Sequence, residues 1–135
     1  MIAVDSSIII DVIYSDPVFG ESSAMALSDA VDSGQVVICD AAFAEVCSYA
    51  DPIEPLIETL ARSGIHFSAV TEQAAIRAGV MQHRFRSRGG SRKERMVSDF
   101  LIGAHALIQC GTLITRDVGF YRDYFKGLKI INPTA

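Results

Sequence analysis

Five short apolar runs, each of a length suited to a buried strand, recur along the chain, with helically spaced stretches between them. The runs are Ile2-Ala3-Val4, Val36-Val37-Ile38-Cys39, Ile65 to Val70, Thr112-Leu113-Ile114-Thr115 and Leu128-Lys129-Ile130-Ile131. Parallel strands need a crossover between them, usually a helix. The alternation therefore predicts an α/β fold with a mainly parallel sheet. The 135 residues read as one domain, 1–135, large enough to bury a core without disulfides or a structural metal.

The intervening stretches carry their own punctuation. Ser6 or Ser7 is placed to cap a helix with Ile8, Ile9, Val12 and Ile13 on one face. Glu21 to Ser33 reads as a helix ended by Gly34. Asp40 is placed to cap a helix Ala41–Ala50, which Asp51-Pro52 breaks. Ile53 to Ser63 and Thr71 to about Arg86 read as further helices. Residues 97–110 are apolar nearly all round, so that helix must be buried. Phe120 to Phe125 reads as a short helix. The stretch Arg88-Gly89-Gly90-Ser91-Arg92-Lys93 is the most loop-like in the chain.

Several classes are excluded at this level. No apolar run reaches 18 residues, so no membrane span is expected. No basic leader precedes Asp5, so a cytoplasmic location is expected. Cys39, Cys47 and Cys110 are odd in number, widely spaced and set among apolar residues; they read as reduced core thiols. The net charge of −4 conceals a segregation: residues 1–61 hold eleven Asp or Glu and no Lys or Arg, whereas 62–135 hold twelve Lys or Arg and five Asp or Glu. One domain with an acidic and a basic region is the simplest reading.

Four carboxylates fall near strand ends or helix starts. Asp5 ends the first run, Glu45 lies about one turn into the helix after the second, Asp99 sits near the start of the buried helix, and Asp117 follows the fourth run. In a parallel sheet these points share the carboxyl edge, where open α/β folds bind ligands. Each has a structural explanation alone: a turn, a solvated helix position or a favourable helix-dipole charge. Together they would repel one another unless a cation held them. An all-oxygen set favours magnesium or manganese over zinc. Asp40 reads as a cap, outside this set.

The residues Val4-Asp5-Ser6-Ser7, Ala44-Glu45-Val46, Ser98-Asp99-Phe100-Leu101-Ile102-Gly103-Ala104 and Thr115-Arg116-Asp117 resemble, in order and spacing, the motifs of PIN-domain nucleases. The size and the ending Arg116-Asp117-Val118-Gly119-Phe120-Tyr121-Arg122-Asp123-Tyr124-Phe125 resemble the VapC toxins of toxin–antitoxin pairs. The resemblance implies a three-layer fold with a central, mainly parallel five-stranded sheet flanked by helices. It also implies a metal-dependent endoribonuclease with Asp5, Glu45, Asp99 and Asp117 as catalytic and metal-binding residues. Magnesium or manganese would be the cofactor, RNA the substrate, a small VapB-type antitoxin the partner and a homodimer the active form. Many relatives carry an Asp directly before the phenylalanine after the fourth motif; this chain has Gly119 there, which leaves Asp117 as the fourth ligand. Ser6 and Thr115 match polar positions that support the carboxylates.

Arg84, Arg86, Arg88, Arg92, Lys93 and Arg95 form a basic stretch just before Asp99. They read either as a solvated helix end and loop or as a rim contacting RNA phosphates, with Arg116 grouped among them. His105 reads as a hydrogen-bonded core residue, and Tyr121, Tyr124 and Phe125 as packing. Two other functions compete with the nuclease. A phosphohydrolase using Asp5 as nucleophile would often carry a second Asp two residues on, where this chain has Ser7. A non-catalytic PIN-like binding module would not need all four acidic positions filled.

Overall fold

The computed structural model describes residues 1–134. Five strands, β1 (Ile2–Val4), β2 (Val36–Cys39), β3 (Ile65–Ser68), β4 (Thr112–Ile114) and β5 (Lys129–Ile131), form one sheet in the order β3-β2-β1-β4-β5. Every neighbouring pair is parallel, so the five apolar runs are strands and the sheet is wholly parallel. Among the described residues, seven helices flank it in a three-layer α/β fold: α1 (Ser6–Ile13), α2 (Gly20–Ser33), α3 (Asp40–Cys47), α4 (Glu54–Arg62), α5 (Glu72–Ser87), α6 (Val97–His105) and α7 (Val118–Tyr124). The chain builds outward from β1 to β2 and β3, then crosses back to lay β4 on the other side of β1. The strand order reverses between β1 and β4, and that switch point is where the carboxyl ends of an open parallel sheet form a crevice.

Both faces of the central strands are covered. Ala3, Val4, Val36, Val37, Ile38, Leu113 and Ile114 are all buried, as are Ile8 and Ile9 of α1. This is why the strands read as continuous apolar runs without alternation. The segment 97–110 is buried only in its middle, at Phe100 and from Ile102 to Ala106, with Val97 exposed and both ends partly open, and it is not one regular helix. α6 passes at His105 into a π-helical turn over Ala106–Cys110. Gly111, at φ 104°, closes it by donating to the Ala106 carbonyl; a positive φ is a conformation glycine adopts without steric cost. The wider turn carries Gln109, which accepts from the Thr71 amide at 3.1 Å and donates to the Ala69 carbonyl at 3.0 Å. His105 meets Ser68 Oγ at 2.9 Å. Two side chains thus tie the end of β3 and the start of α5 to this helix.

Two capping expectations are corrected. Thr71 caps α5 through its hydroxyl, as its position suggests, but neither Ser6 nor Ser7 caps α1; the Ser6 hydroxyl is drawn instead to carboxylates. The helix expected at 41–50 begins at Asp40 and ends at Cys47. The Asp40 carboxylate accepts from the Ala41 amide and, more weakly, from Val70.

The aromatic residues near the C-terminus pack as expected. Phe100, Phe120, Tyr121, Tyr124 and Phe125 form one cluster of edge-to-face and tilted contacts. Gly103 lets α6 lie against it, since a Cβ there would overlap the Phe125 ring. That close approach fixes the helix bearing Asp99 against the segment that follows Asp117. Cys39 is buried, Cys47 and Cys110 are partly buried, and all three are free thiols. Among the described residues no helix is long and apolar enough to cross a membrane.

Candidate active site

The register of the sheet begins the site. β1 pairs with β4 as Ile2↔Thr112, Ala3↔Leu113 and Val4↔Ile114. The next residues on each strand, Asp5 and Thr115, therefore emerge side by side at the carboxyl edge. Thr115 Oγ1 donates to Asp5 Oδ2 at 2.8 Å, and the same hydroxyl accepts from the Asp117 amide at 3.0 Å. Ser6, on the other side of Asp5, donates to Glu45 Oε2 at 2.9 Å and lies 3.4 Å from Asp5 Oδ1. Glu45 is brought in by α3, which starts directly at the end of β2. Ser6 and Thr115 thus each lie against acidic side chains, Ser6 against Glu45 and Asp5 and Thr115 against Asp5.

Asp5 is only 7% exposed. Burial, and secondarily the charges of Glu45 and Asp99, raise its pKa to about 6; the Thr115 hydrogen bond opposes the rise. Asp99 is also pushed up from its ordinary value by burial; the Met96 amide and the charge of Arg95 oppose the rise, and Glu45 and Asp117 add to it. These mutual effects require the carboxylates to be neighbours. One Asp99 oxygen accepts from the Met96 amide at 3.1 Å at the start of α6, so the helix-start role is real as well. Glu45 Oε1 is buried and has no hydrogen-bond partner. An unpaired buried oxygen of this kind is costly and calls for a cation or an ordered water.

Asp117 behaves differently. It is more exposed, and Arg95 holds it with two hydrogen bonds, Nη1 to Oδ2 and Nη2 to Oδ1, the second at 3.1 Å. Arg95 is therefore not part of the exposed basic stretch to which its place in the sequence assigns it. Its guanidinium lies 4.0 Å over the Phe120 ring. Arg116 is likewise no free rim residue. It forms a bidentate pair with Asp11 at 2.9 and 3.0 Å and stacks 4.0 Å over Phe19. Asp11 is buried and also accepts from Ser23. Sequence reasoning misses both Asp11 and Ser23, although an aspartate inside the run Ile8–Ile13 is a signal that it needs a partner. Arg84, Arg86, Arg88, Arg92 and Lys93 are exposed or nearly so. Tyr121 is fully buried, and burial together with the charges of Asp5, Asp99 and Asp117 keeps its phenol protonated.

As their side chains stand, no three acidic, histidine or cysteine residues among the described ones form a ready ligand cluster. Asp117 is turned to Arg95, and one Asp99 oxygen is bonded to its own helix start. The donor chemistry nevertheless fits a hard divalent cation. Asp5, Glu45 and Asp99 are coupled, oxygen-only, partly desolvated and, among the described residues, in no ion pair, and the orphaned Glu45 oxygen has no hydrogen-bond partner.

Among curated proteins, no sequence match was found. Solved structures resemble the whole chain. VapBC-1 from nontypeable Haemophilus influenzae matches with a TM-score of 0.75 at 22% identity over 100% of both chains. VapBC2 from Rickettsia felis, bound to a DNA fragment from its promoter, gives 0.74 at 21% identity over 98% of each chain. A toxin–antitoxin complex from Klebsiella pneumoniae gives 0.71 at 19% identity over 98% of each. At these identities the likeness is one of fold. The family model for the PIN domain matches residues 2–126, and the chain belongs to the PIN domain family.

Proposed function

We propose that this protein is a metal-dependent endoribonuclease and the toxin of a toxin–antitoxin pair. The observation that carries the reading is the group Asp5–Glu45–Asp99 at the switch point of the sheet, with an unpartnered Glu45 oxygen buried within it. Asp5, Glu45 and Asp99 would hold magnesium or manganese, which lowers the pKa of a water and neutralises charge building on the phosphoryl oxygens. Ser6 fixes Glu45, and Thr115 fixes Asp5 while holding the start of the Asp117 loop. Hydrolysis forms one phosphorus–oxygen bond to water and breaks one to the leaving sugar oxygen, which leaves with a proton. The exposed residues Arg84, Arg86, Arg88, Arg92 and Lys93 lie just before α6 in sequence and would bind the RNA backbone.

A small antitoxin is the proposed partner, since the similar solved structures include toxin–antitoxin complexes. An arginine from it would satisfy the carboxylates bidentately and compete with the metal for the same oxygens. A homodimer in the cytoplasm is the proposed active form. The test is Asp99→Asn. It should leave the fold intact and reduce magnesium- or manganese-dependent RNA cleavage by at least about 100-fold, the order expected for loss of a principal charge-stabilising group. Undiminished cleavage would remove Asp99 from the mechanism.

A further inference from the structure

Among the described residues, Arg95 is the cation built into the acidic site. It occupies the turn just before α6, two of its N–H groups are bonded to Asp117, and Phe120 supports its face at 4.0 Å. The charge of Asp99 also acts on it. Its side chain is 25% exposed, against 41% for Asp117. A guanidinium held by a carboxylate fork on one edge and an aromatic ring on its face loses little further freedom on binding an anion. Both Asp117 oxygens are engaged by it, which withholds them from a metal while the pair stands. The acidic site is therefore divided: Asp117 is ion-paired to Arg95, whereas Asp5, Glu45 and Asp99 form no ion pair among the described residues, although the charge of Arg95 reaches Asp99.

We propose that Arg95 takes the place of a second divalent cation, so that the site binds one ion through Asp5, Glu45 and Asp99 and uses the guanidinium held by Asp117 as its other positive charge. In two-metal nucleases the second cation stabilises one of the two oxygens of the displacement. Arginine serves phosphoryl groups the same way, through charge and paired donors. Asp117 is then a positioning residue for Arg95 and not a metal ligand. The inference rests on the nuclease reading of the site, but it is tested by counting ions, without any cleavage assay.

The experiment titrates manganese into the purified chain and counts bound ions by calorimetry and by the electron paramagnetic resonance of the free ion. The wild-type chain should bind one ion. Arg95→Gln should bind one more, because Asp117 is released, whereas Arg95→Lys should not. Asp117→Asn should keep the single ion. The double variant Arg95→Gln/Asp117→Asn should also return to one. Two ions on the wild-type chain, no gain with Arg95→Gln, or loss of the single ion in Asp117→Asn would each overturn the proposal. If the wild-type chain binds no manganese, or if Asp99→Asn binds it as well as the wild type, the metal-site reading itself falls and takes this one with it. Thermal melts accompany each variant, and the Asp117→Asn count decides the matter should Arg95→Gln fail to fold.

Discussion

The sheet register sets Asp5 beside Thr115, whose hydroxyl can stabilise a carboxylate but cannot neutralise it. Burial and the neighbouring Glu45 and Asp99 outweigh that hydrogen bond, so the folded-state pKa rises from 3.8 to about 6. Because the folded chain binds the Asp5 proton more tightly than the unfolded chain, this residue's contribution to stability is fully present below about pH 4. It is lost as pH rises toward and through 6. The size is on the order of 2 kcal/mol after allowing for local relaxation. Metal-free protein should therefore lose melting temperature across that window, and Asp5→Asn should flatten the loss and be more stable than the wild type at pH 7. Melts in a chelator across pH 4 to 7 check this. If Asp5→Asn tracks the wild type throughout, the carboxylate is not strained by its site.

At the scale of elements, the loop carrying Thr115 and Asp117 is held by a lock that lies outside the carboxylate group. Arg116 pairs with Asp11 of α1, while Ser23 of α2 and Phe19 just before it complete the cluster. The two partners are unequal: Asp11 is 6% exposed and Arg116 27%. Removing the arginine strands a buried charge; removing the carboxylate leaves a cation that water can still reach. Arg116→Gln should therefore cost about 3 kcal/mol, at the low end for breaking a buried pair. Asp11→Asn should cost clearly less, and the double variant should resemble Asp11→Asn. Urea unfolding of the three variants measures the difference. Equal costs for the two single variants would mean that the pair is solvated. This lock also marks the limit of what can be read from the sequence. The strands, their parallel pairing and the edge they share follow from apolar runs and intervening helices, because burial of both sheet faces is written directly into composition. The positions of Asp5, Glu45 and Asp99 follow from that edge. Which arginine meets which aspartate does not. The partners are separated by 105 residues for Arg116–Asp11 and 22 for Arg95–Asp117, and such pairings depend on side-chain geometry that no local spacing encodes. The π-helical turn is hidden for a similar reason: its apolar residues fit a regular helix equally well, and the partners of Gln109 within it lie 38 and 40 residues away.

For the molecule as a whole, the segregation of charge gives the site two different borders. Residues 1–61 hold no Lys or Arg, and they supply Asp5 and Glu45. The basic stretch leaves the end of α5, turns, and returns into α6, where Asp99 stands at the helix start. A groove of about 510 Å³ lies along this stretch, lined by Gln82, Arg86, Arg92, Met96 and Val97. Met96, which lines the groove, is also the residue whose amide binds Asp99, so the groove runs up to the start of α6. None of Arg84, Arg86, Arg88, Arg92 and Lys93 forms a salt bridge among the described residues, and a polyanion would meet them unopposed. Arg88 leans over the Tyr124 ring and Arg95 is bound to Asp117, so Arg84, Arg86 and Arg92 are the residues to neutralise. On a single strand, the slope of log affinity against log salt falls by roughly 0.7 for every phosphate the protein no longer neutralises. The triple glutamine variant should thus bind RNA more weakly at low salt, with a slope smaller by up to about 2, while manganese binding by the carboxylates stays as it was. Filter binding over a salt series measures the slope, and calorimetry measures the ion. A slope identical to that of the wild type would mean that RNA reaches Asp99 by another face, and the basic stretch would then be free for a protein partner.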